Sequence, residues 1–224
     1  RVVVVQPTAY GLDNRCQIEA MDAFRAAGLD VRGVMVVDAG TPREELRRLD
    51  RLGVRGARFH MLPGGAIGWD HLEPVAEALA ELGWHVQLQM DGRGFTAELT
   101  ERLLALPCPV VVDHVGRFMP PVDPTHEAFE GLLALINSGR SWVKLSAPYE
   151  SQDTGPDFVG VTRLVDELVR RHPDRLLWAS NWPHPGQDDP LTAAALAALL
   201  ERWVPDAGLR RRVLVDHPAE LYGF

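Results

Sequence analysis

Side chains along a β-strand alternate between faces, so residues two apart point the same way. Arg58 and His60 stand two apart in this chain, as do Gln87 and Gln89, and Lys144 and Ser146. Such pairs bring a guanidinium, an imidazole, amides and a hydroxyl to one face of a sheet, groups able to hold an oxygen-rich substrate and handle its protons. Asp113 and His114 are sequence neighbours and face opposite ways. His114, two beyond Val112, reaches a strand mouth while Asp113 points to a helix layer, so the two are no ready-made dyad. The densest group is Ser180-Asn181-Trp182-Pro183-His184-Pro185, directly after the apolar run 176–179. Prolines 183 and 185 fix φ and lack an N–H, so the chain leaves the sheet in a defined direction and holds Asn181 and His184 at the strand's mouth.

Apolar, β-branched runs place strands at 2–6, 31–37, 54–60, 85–90, 110–114, 142–146 and 175–180. Helices fit between them. Asp13 or Asn14 caps one that runs towards Ala27 and stops at Gly28, and Thr41-Pro42 with Glu44 and Glu45 opens one that ends at Gly53. Others fall near 71–82, 95–105, 125–138, 158–171 and 190–203, with a C-terminal helix after Asp206. Strands recurring every roughly 25 to 35 residues with helices between them are βα units with right-handed crossovers. An open doubly wound sheet shares that rhythm, but no Gly-rich phosphate fingerprint follows any strand, and nearly every strand ends in polar side chains. The reading is an α/β fold, a TIM-like (β/α)8 barrel, in one domain over residues 1–224. A closed barrel needs eight strands, so the first is expected upstream of Arg1.

The chain has 224 residues, 46% of them hydrophobic, enough for one substantial core. No apolar run approaches the eighteen or so residues of a membrane span. A net charge of −8 argues against a nucleic-acid or anionic-membrane partner and leaves small-molecule work as the class. Cys16 and Cys108 lie too far apart for a disulfide framework or a cysteine zinc motif, which suits a cytoplasmic protein. A homo-oligomer is compatible with all of this.

Four stretches carry a family resemblance: Val-Val-Val-Asp-His-Val-Gly-Arg at 110–117, Trp-Val-Lys-Leu-Ser-Ala-Pro-Tyr at 142–149, Trp-Ala-Ser-Asn-Trp-Pro-His-Pro at 178–185 and Leu-Val-Asp-His-Pro-Ala-Glu-Leu-Tyr at 214–222. With Val-Gln-Pro-Thr-Ala-Tyr-Gly-Leu-Asp-Asn at 5–14 and Gly-Val-Arg-Gly-Ala-Arg-Phe at 53–59, they resemble, in order, the 2-pyrone-4,6-dicarboxylate lactonase-like branch of the amidohydrolase-related family. The resemblance implies a deformed (β/α)8 barrel that hydrolyses lactones, often without the divalent metal of the wider superfamily. It implies catalytic roles at His114, Asn181 and His184 and substrate binding at Arg58, to which the strand-end reading adds His60, Gln89 and Tyr149. The sequence departs from the family pattern in four places. No His-x-His pair occurs in the chain; Asn181 replaces an aspartate; Gly64 and Glu150 stand where arginines align; and Gln89 stands in place of a tyrosine.

Each departure bears on chemistry. An amide is no base near neutrality, so Asn181 orients water or donates a hydrogen bond. Without His-x-His, His114 lacks obvious partners for tetrahedral coordination; the expectation is no cofactor, with zinc conceivable only if an upstream His-x-His exists. Loss of two arginines disfavours a doubly anionic substrate and favours a neutral or singly charged lactone, of a sugar or a pyrone-like ring, or a related ester. The expected activity is lactone hydrolysis by water attack on the carbonyl. The alternatives are a catalytically silent barrel that binds a small molecule, suggested by Asn181 and the missing His-x-His, and a lactone isomerase. Among the remaining groups, Lys144 reads as half of a buried ion pair, His85 as structural, His71, His126, His172 and His217 as loop or helix-end residues, and Trp142, Trp178 and Trp182 as core or pocket wall.

Overall fold

The computed structural model describes residues 1–153, 155 and 157–224. Its contacts group the chain into two compact units, the first made of Arg1–Met90, Ala105–Val111 and Phe224, the second of Asp91–Leu104 and Val112–Gly223.

In the first unit the order of elements is β1 (Val2–Val5), α1 (Arg15–Ala26), β2 (Val31–Met35), α2 (Arg43–Arg51), β3 (Val54–His60), α3 (Leu72–Ala80) and β4 (His85–Gln89). Its strands are parallel and adjacent in sequence order, Val2 beside Val31, Val34 beside Gly56, and His60 beside Gln89. Parallel strands need crossover connections, and each helix supplies one. α2 shows why these residues form helices: Glu44 and Glu45 occupy its first turn and Arg48 and Arg51 its last, matching the helix dipole, and Leu46 and Leu49 are its buried face. Gly53 follows in the left-handed region, at φ +84°, where a side chain would be strained. Val34, Met35, Val54, Ala57, Phe59, Val86 and Leu88 are fully buried along the strands. β5 (Val110–Val112) begins in this unit, where Val86 N–H donates to Pro109 O at 2.9 Å.

The second unit holds α4 (Ala97–Leu104), α5 (Glu127–Asn137), β6 (Ser141–Leu145), α6 (Val159–Arg171), β7 (Leu176–Trp178), α7 (Ala193–Trp203), α8 (Ala207–Arg211) and α9 (His217–Tyr222), with a π-helical turn at Arg212–Asp216. β6 and β7 are parallel, Val143 beside Leu176 and Leu145 beside Trp178. Side chains cap helices here: Leu99 N–H donates to Thr96 Oγ1, Ala128 N–H to His126 Nδ1, Ala195 N–H to Thr192 Oγ1, and Leu209 N–H to Asp206 Oδ1.

The expected strands and helices are found, most strands ending one or more residues earlier than expected and β3 running in full to His60. β5 stops at Val112 and β7 at Trp178, where the backbone leaves the extended conformation and turns. His217 departs from expectation: it is buried, its Nδ1 meets Leu176 O at 2.8 Å, and its ring lies 5.5 Å from that of Trp142. A histidine at a helix start buries well when a strand carbonyl satisfies its ring nitrogen. Among the described residues no helix is long and apolar enough to cross a membrane.

His85, at the start of β4, is buried against the backbone of β3: a Cβ placed on Gly56 would lie 2.5 Å from His85 Nε2. A ring in a packed layer has no room to retreat. Gly56→Ala is therefore expected to cost about 1–3 kcal/mol through overpacking. Urea unfolding should show a lower midpoint with an unchanged slope, and an unchanged midpoint would mean that the His85 ring moves freely.

Candidate functional site

The residues singled out by sequence assemble in two sets, one in each unit. In the first unit, the alternation along β3 puts Arg58 and His60 on one face, and the register that pairs His60 with Gln89 brings β4's last residue to them. Arg58 donates to Gln6 O at 2.7 Å and to Gln89 Oε1. His60 Nδ1 lies 3.2 Å from the same Gln89 Oε1. A carbonyl oxygen only accepts, so His60 carries its proton on Nδ1 there. Gln6, Thr8, Arg58, His60 and Ile67 line a cleft at the carboxyl ends of the strands.

Gln6 is the residue that sequence reasoning missed. It is fully buried at the end of β1, and its Nε2 donates to Asp13 O at 2.8 Å, tying the following loop back to the strand. An amide directly after four valines and directly before a proline was the available signal, since a strand that stays buried seldom ends in an unassigned polar group.

In the second unit, Asp113 and Lys144 form an ion pair of 3.1 Å with both side chains buried. Asp113 also faces the α9 side: burial first, and then the Asp113 charge, push the Tyr222 phenol well above its ordinary value. Next to this pair, His114 Nδ1 and Ser146 Oγ meet at 2.9 Å, both residues buried. The backbone turns tightly from Asp113 to Arg117, with Gly116 N–H on Asp113 O and Arg117 N–H on His114 O. Arg117 then pairs with Glu150 at 3.3 Å, each side chain about four-fifths buried (19% and 21% exposed), so the one charge is matched by the other.

The stretch after β7 folds into a second tight turn, His184 N–H donating to Asn181 O at 2.7 Å. Trp182–Pro183 within it is cis. The turn places Asn181 and the buried His184 around the phenol of Tyr149: Asn181 Nδ2 donates to Tyr149 Oη at 3.0 Å, and Tyr149 Oη lies 2.9 Å from His184 Nδ1. Burial raises the Tyr149 pKa; the Asn181 hydrogen bond pulls the other way, and the Glu150 charge adds to the rise. Tyr149 thus keeps its proton throughout the neutral range. Trp182 is not the core or wall residue expected from the sequence: it is 80% exposed, because the same turn that points Asn181 and His184 to the phenol points the intervening side chain outward.

His114, Asn181 and His184 share one backbone property. Their φ angles are +53°, +56° and +64°, left-handed values that non-glycine residues rarely adopt. Such conformations cost about 1–3 kcal/mol each and persist where the surroundings over-determine them, commonly in functional sites.

Among the described residues no three of histidine, cysteine, aspartate and glutamate come together, and the buried Asp113 carboxylate beside His114 is matched to Lys144.

A family model described as amidohydrolase matches residues 1–224. The chain belongs to the amidohydrolase family. Within it the chain is 34% identical over 99% of its length to a 2-pyrone-4,6-dicarboxylate hydrolase of Comamonas testosteroni, 75% of which it covers. It is 31% identical over 99% of its length to a D-galactarolactone isomerase of Agrobacterium fabrum, covering 76% of that protein. The crystal structure of an Agrobacterium tumefaciens protein in its apo form superposes with a TM-score of 0.92 at 30% identity, over 100% of this chain and 80% of that one. The α/β fold is thereby the TIM-like barrel fold of amidohydrolases, and the chain is an enzyme of that family.

The buried ion pair makes a measurable demand. Removing one partner of such a pair leaves the other charge buried and typically costs about 3–5 kcal/mol. Asp113→Ala should lose that much in chemical denaturation, and Asp113→Leu combined with Lys144→Met should recover most of it. A loss near zero in the single variant would show that Lys144 is neutral in the folded protein.

Proposed function

We propose that this enzyme opens the ring of a small neutral or singly charged lactone by hydrolysis. The observation that carries the reading is that two relatives, each alike over 99% of this chain, are named for lactone rings, a pyrone dicarboxylate in one and galactarolactone in the other. Opening a lactone adds water to the carbonyl and breaks the acyl bond to the ring oxygen. Negative charge gathers first on the carbonyl oxygen and then on the departing ring oxygen, and pre-placed N–H and O–H donors lower that barrier. The proposal gives this work to His114, Asn181 and His184, and substrate orientation to Arg58, His60, Gln89 and Tyr149. Asn181 cannot take the proton of water, which leaves it the task of donating.

The preference for low charge is supported by the fate of the arginines. Arg117 is matched by Glu150, and Arg58 is engaged by Gln6 O and Gln89 Oε1. Neither stands ready as a bidentate clamp for a second carboxylate. The reading also takes no divalent metal and places the enzyme in the cytoplasm, where Cys16 and Cys108 stand as separate thiols, one exposed and one buried. Isomerisation of a lactone is the second reading, favoured by the galactarolactone isomerase among the relatives.

The test is proton release by the full-length protein on a panel of neutral, monoanionic and dianionic lactones, with and without chelator. Turnover of the first two classes in chelator is expected. Ring-shifted product without proton release would replace hydrolysis by isomerisation, and binding without turnover would leave a ligand-binding barrel. Glu150→Gln is expected to free Arg117 and raise kcat/KM on carboxylate-bearing lactones about tenfold or more relative to neutral ones, the weight of a hydrogen bond to a charged group. An unchanged ratio would remove the Arg117–Glu150 pair from the basis of selectivity.

A further inference from the structure

The hydrogen bonds around Tyr149 have a direction. Asn181 Nδ2 can only donate, and it meets the Tyr149 oxygen at 3.0 Å. The phenol's single hydrogen is then left for its other neighbour, His184 Nδ1, at 2.9 Å. An imidazole nitrogen that accepts carries no proton, so a neutral His184 must carry its proton on Nε2. The geometry points to a relay, Asn181 to Tyr149 to His184, that fixes His184 as an Nε2–H donor and makes Tyr149 and Asn181 positioning residues acting through it.

Four features hold the relay in place. The 181–184 turn is closed by its own backbone hydrogen bond, so the amide and the imidazole cannot drift apart. Both residues are locked at left-handed φ, leaving their side chains little choice of direction. The rings of Tyr149 and His184 lie 6.1 Å apart in an edge arrangement with an interplanar angle of 67°, which keeps the phenol oxygen near the ring nitrogen. His184 itself is buried, so water does not compete for Nδ1.

The consequence depends on residue 181 being an amide. A carboxylate there only accepts, so it would take the phenol's hydrogen; the Tyr149 oxygen would then accept from His184 Nδ1–H, and Nε2 would become the basic nitrogen. One residue two hydrogen bonds away thus decides whether His184 presents an acid or a base. In this chain it presents a donor, suited to a carbonyl or departing ring oxygen. That last assignment rests on the lactone reading; the direction of the relay does not.

The test uses the full-length protein labelled with 15N at histidine, and it needs no substrate. The chain has 8 histidines, so long-range 1H–15N correlation spectra resolve each ring, and His184→Gln assigns the signal. The native protein is expected to show His184 with its proton on Nε2. Asn181→Asp should move the proton onto Nδ1, and that move should vanish when Tyr149→Phe is added to Asn181→Asp. A native His184 protonated on Nδ1 would overturn the relay, as would an Asn181→Asp spectrum like the native one, or a switch that persists without the phenol. Should the aspartate variant fail to fold, the native spectrum alone still decides the direction. Failure on every lactone with an Nε2–H His184 would sink the substrate and leave the relay standing.

Discussion

The second unit depends on burying a charge. Lys144 and Asp113 are both almost fully enclosed, and an ammonium or carboxylate held alone in such a place costs several kcal/mol. Each therefore requires the other, and their 3.1 Å contact ties the turn after β5 to β6. The neighbouring residues inherit that alignment. With Asp113 held by Lys144, the turn that follows brings His114 to Ser146, two residues beyond Lys144, at 2.9 Å. The ion pair takes no visible part in handling a substrate, yet it fixes the place from which an imidazole reaches out.

Strain follows from the same demand for placement. A strand that simply continued would send His114, Asn181 and His184 alternately to either face, so bringing chosen side chains forward requires sharp reversals of the chain. Glycine would make those reversals freely, but glycine carries no chemistry. His114, Asn181 and His184 instead sit in left-handed conformations, held by turn hydrogen bonds such as His184 N–H to Asn181 O. The hydrophobic layer of Val143, Leu145, Leu176 and Leu177 is buried enough to support that cost.

Most of the fold was legible because two periodicities recur along the chain, and β-branched runs alternate with helices that open on acid and close on glycine or arginine. What escaped was polar pairing. The spacing of Arg58, His60 and Gln89 foretold a shared face, but nothing in the spacing reveals that Gln89 Oε1 serves both or that Gln6 O, 52 residues from Arg58, receives the guanidinium. His217 looked like an exposed helix-end residue because its partner, a strand carbonyl, has no sequence signature. Trp182 looked like a wall because aromatic residues usually are, and only the tight turn reveals it as exposed. Lys144 was read correctly for a simple reason: a lysine inside an apolar strand must have a counterion, and the choice of partners was small.

Residue 181 shows how far a single atom carries. Exchange of a carboxylate oxygen for an amide nitrogen leaves the shape of the turn alone and reverses what the group offers to the Tyr149 oxygen. Because the phenol has one hydrogen and two neighbours, it transmits that reversal to His184 undiminished. A loss of basicity at one residue therefore does not simply subtract a function from the site. It redistributes protons along a fixed framework and turns a neighbouring imidazole into a donor, so a substitution that looks from the sequence like an inactivation is physically a change of role.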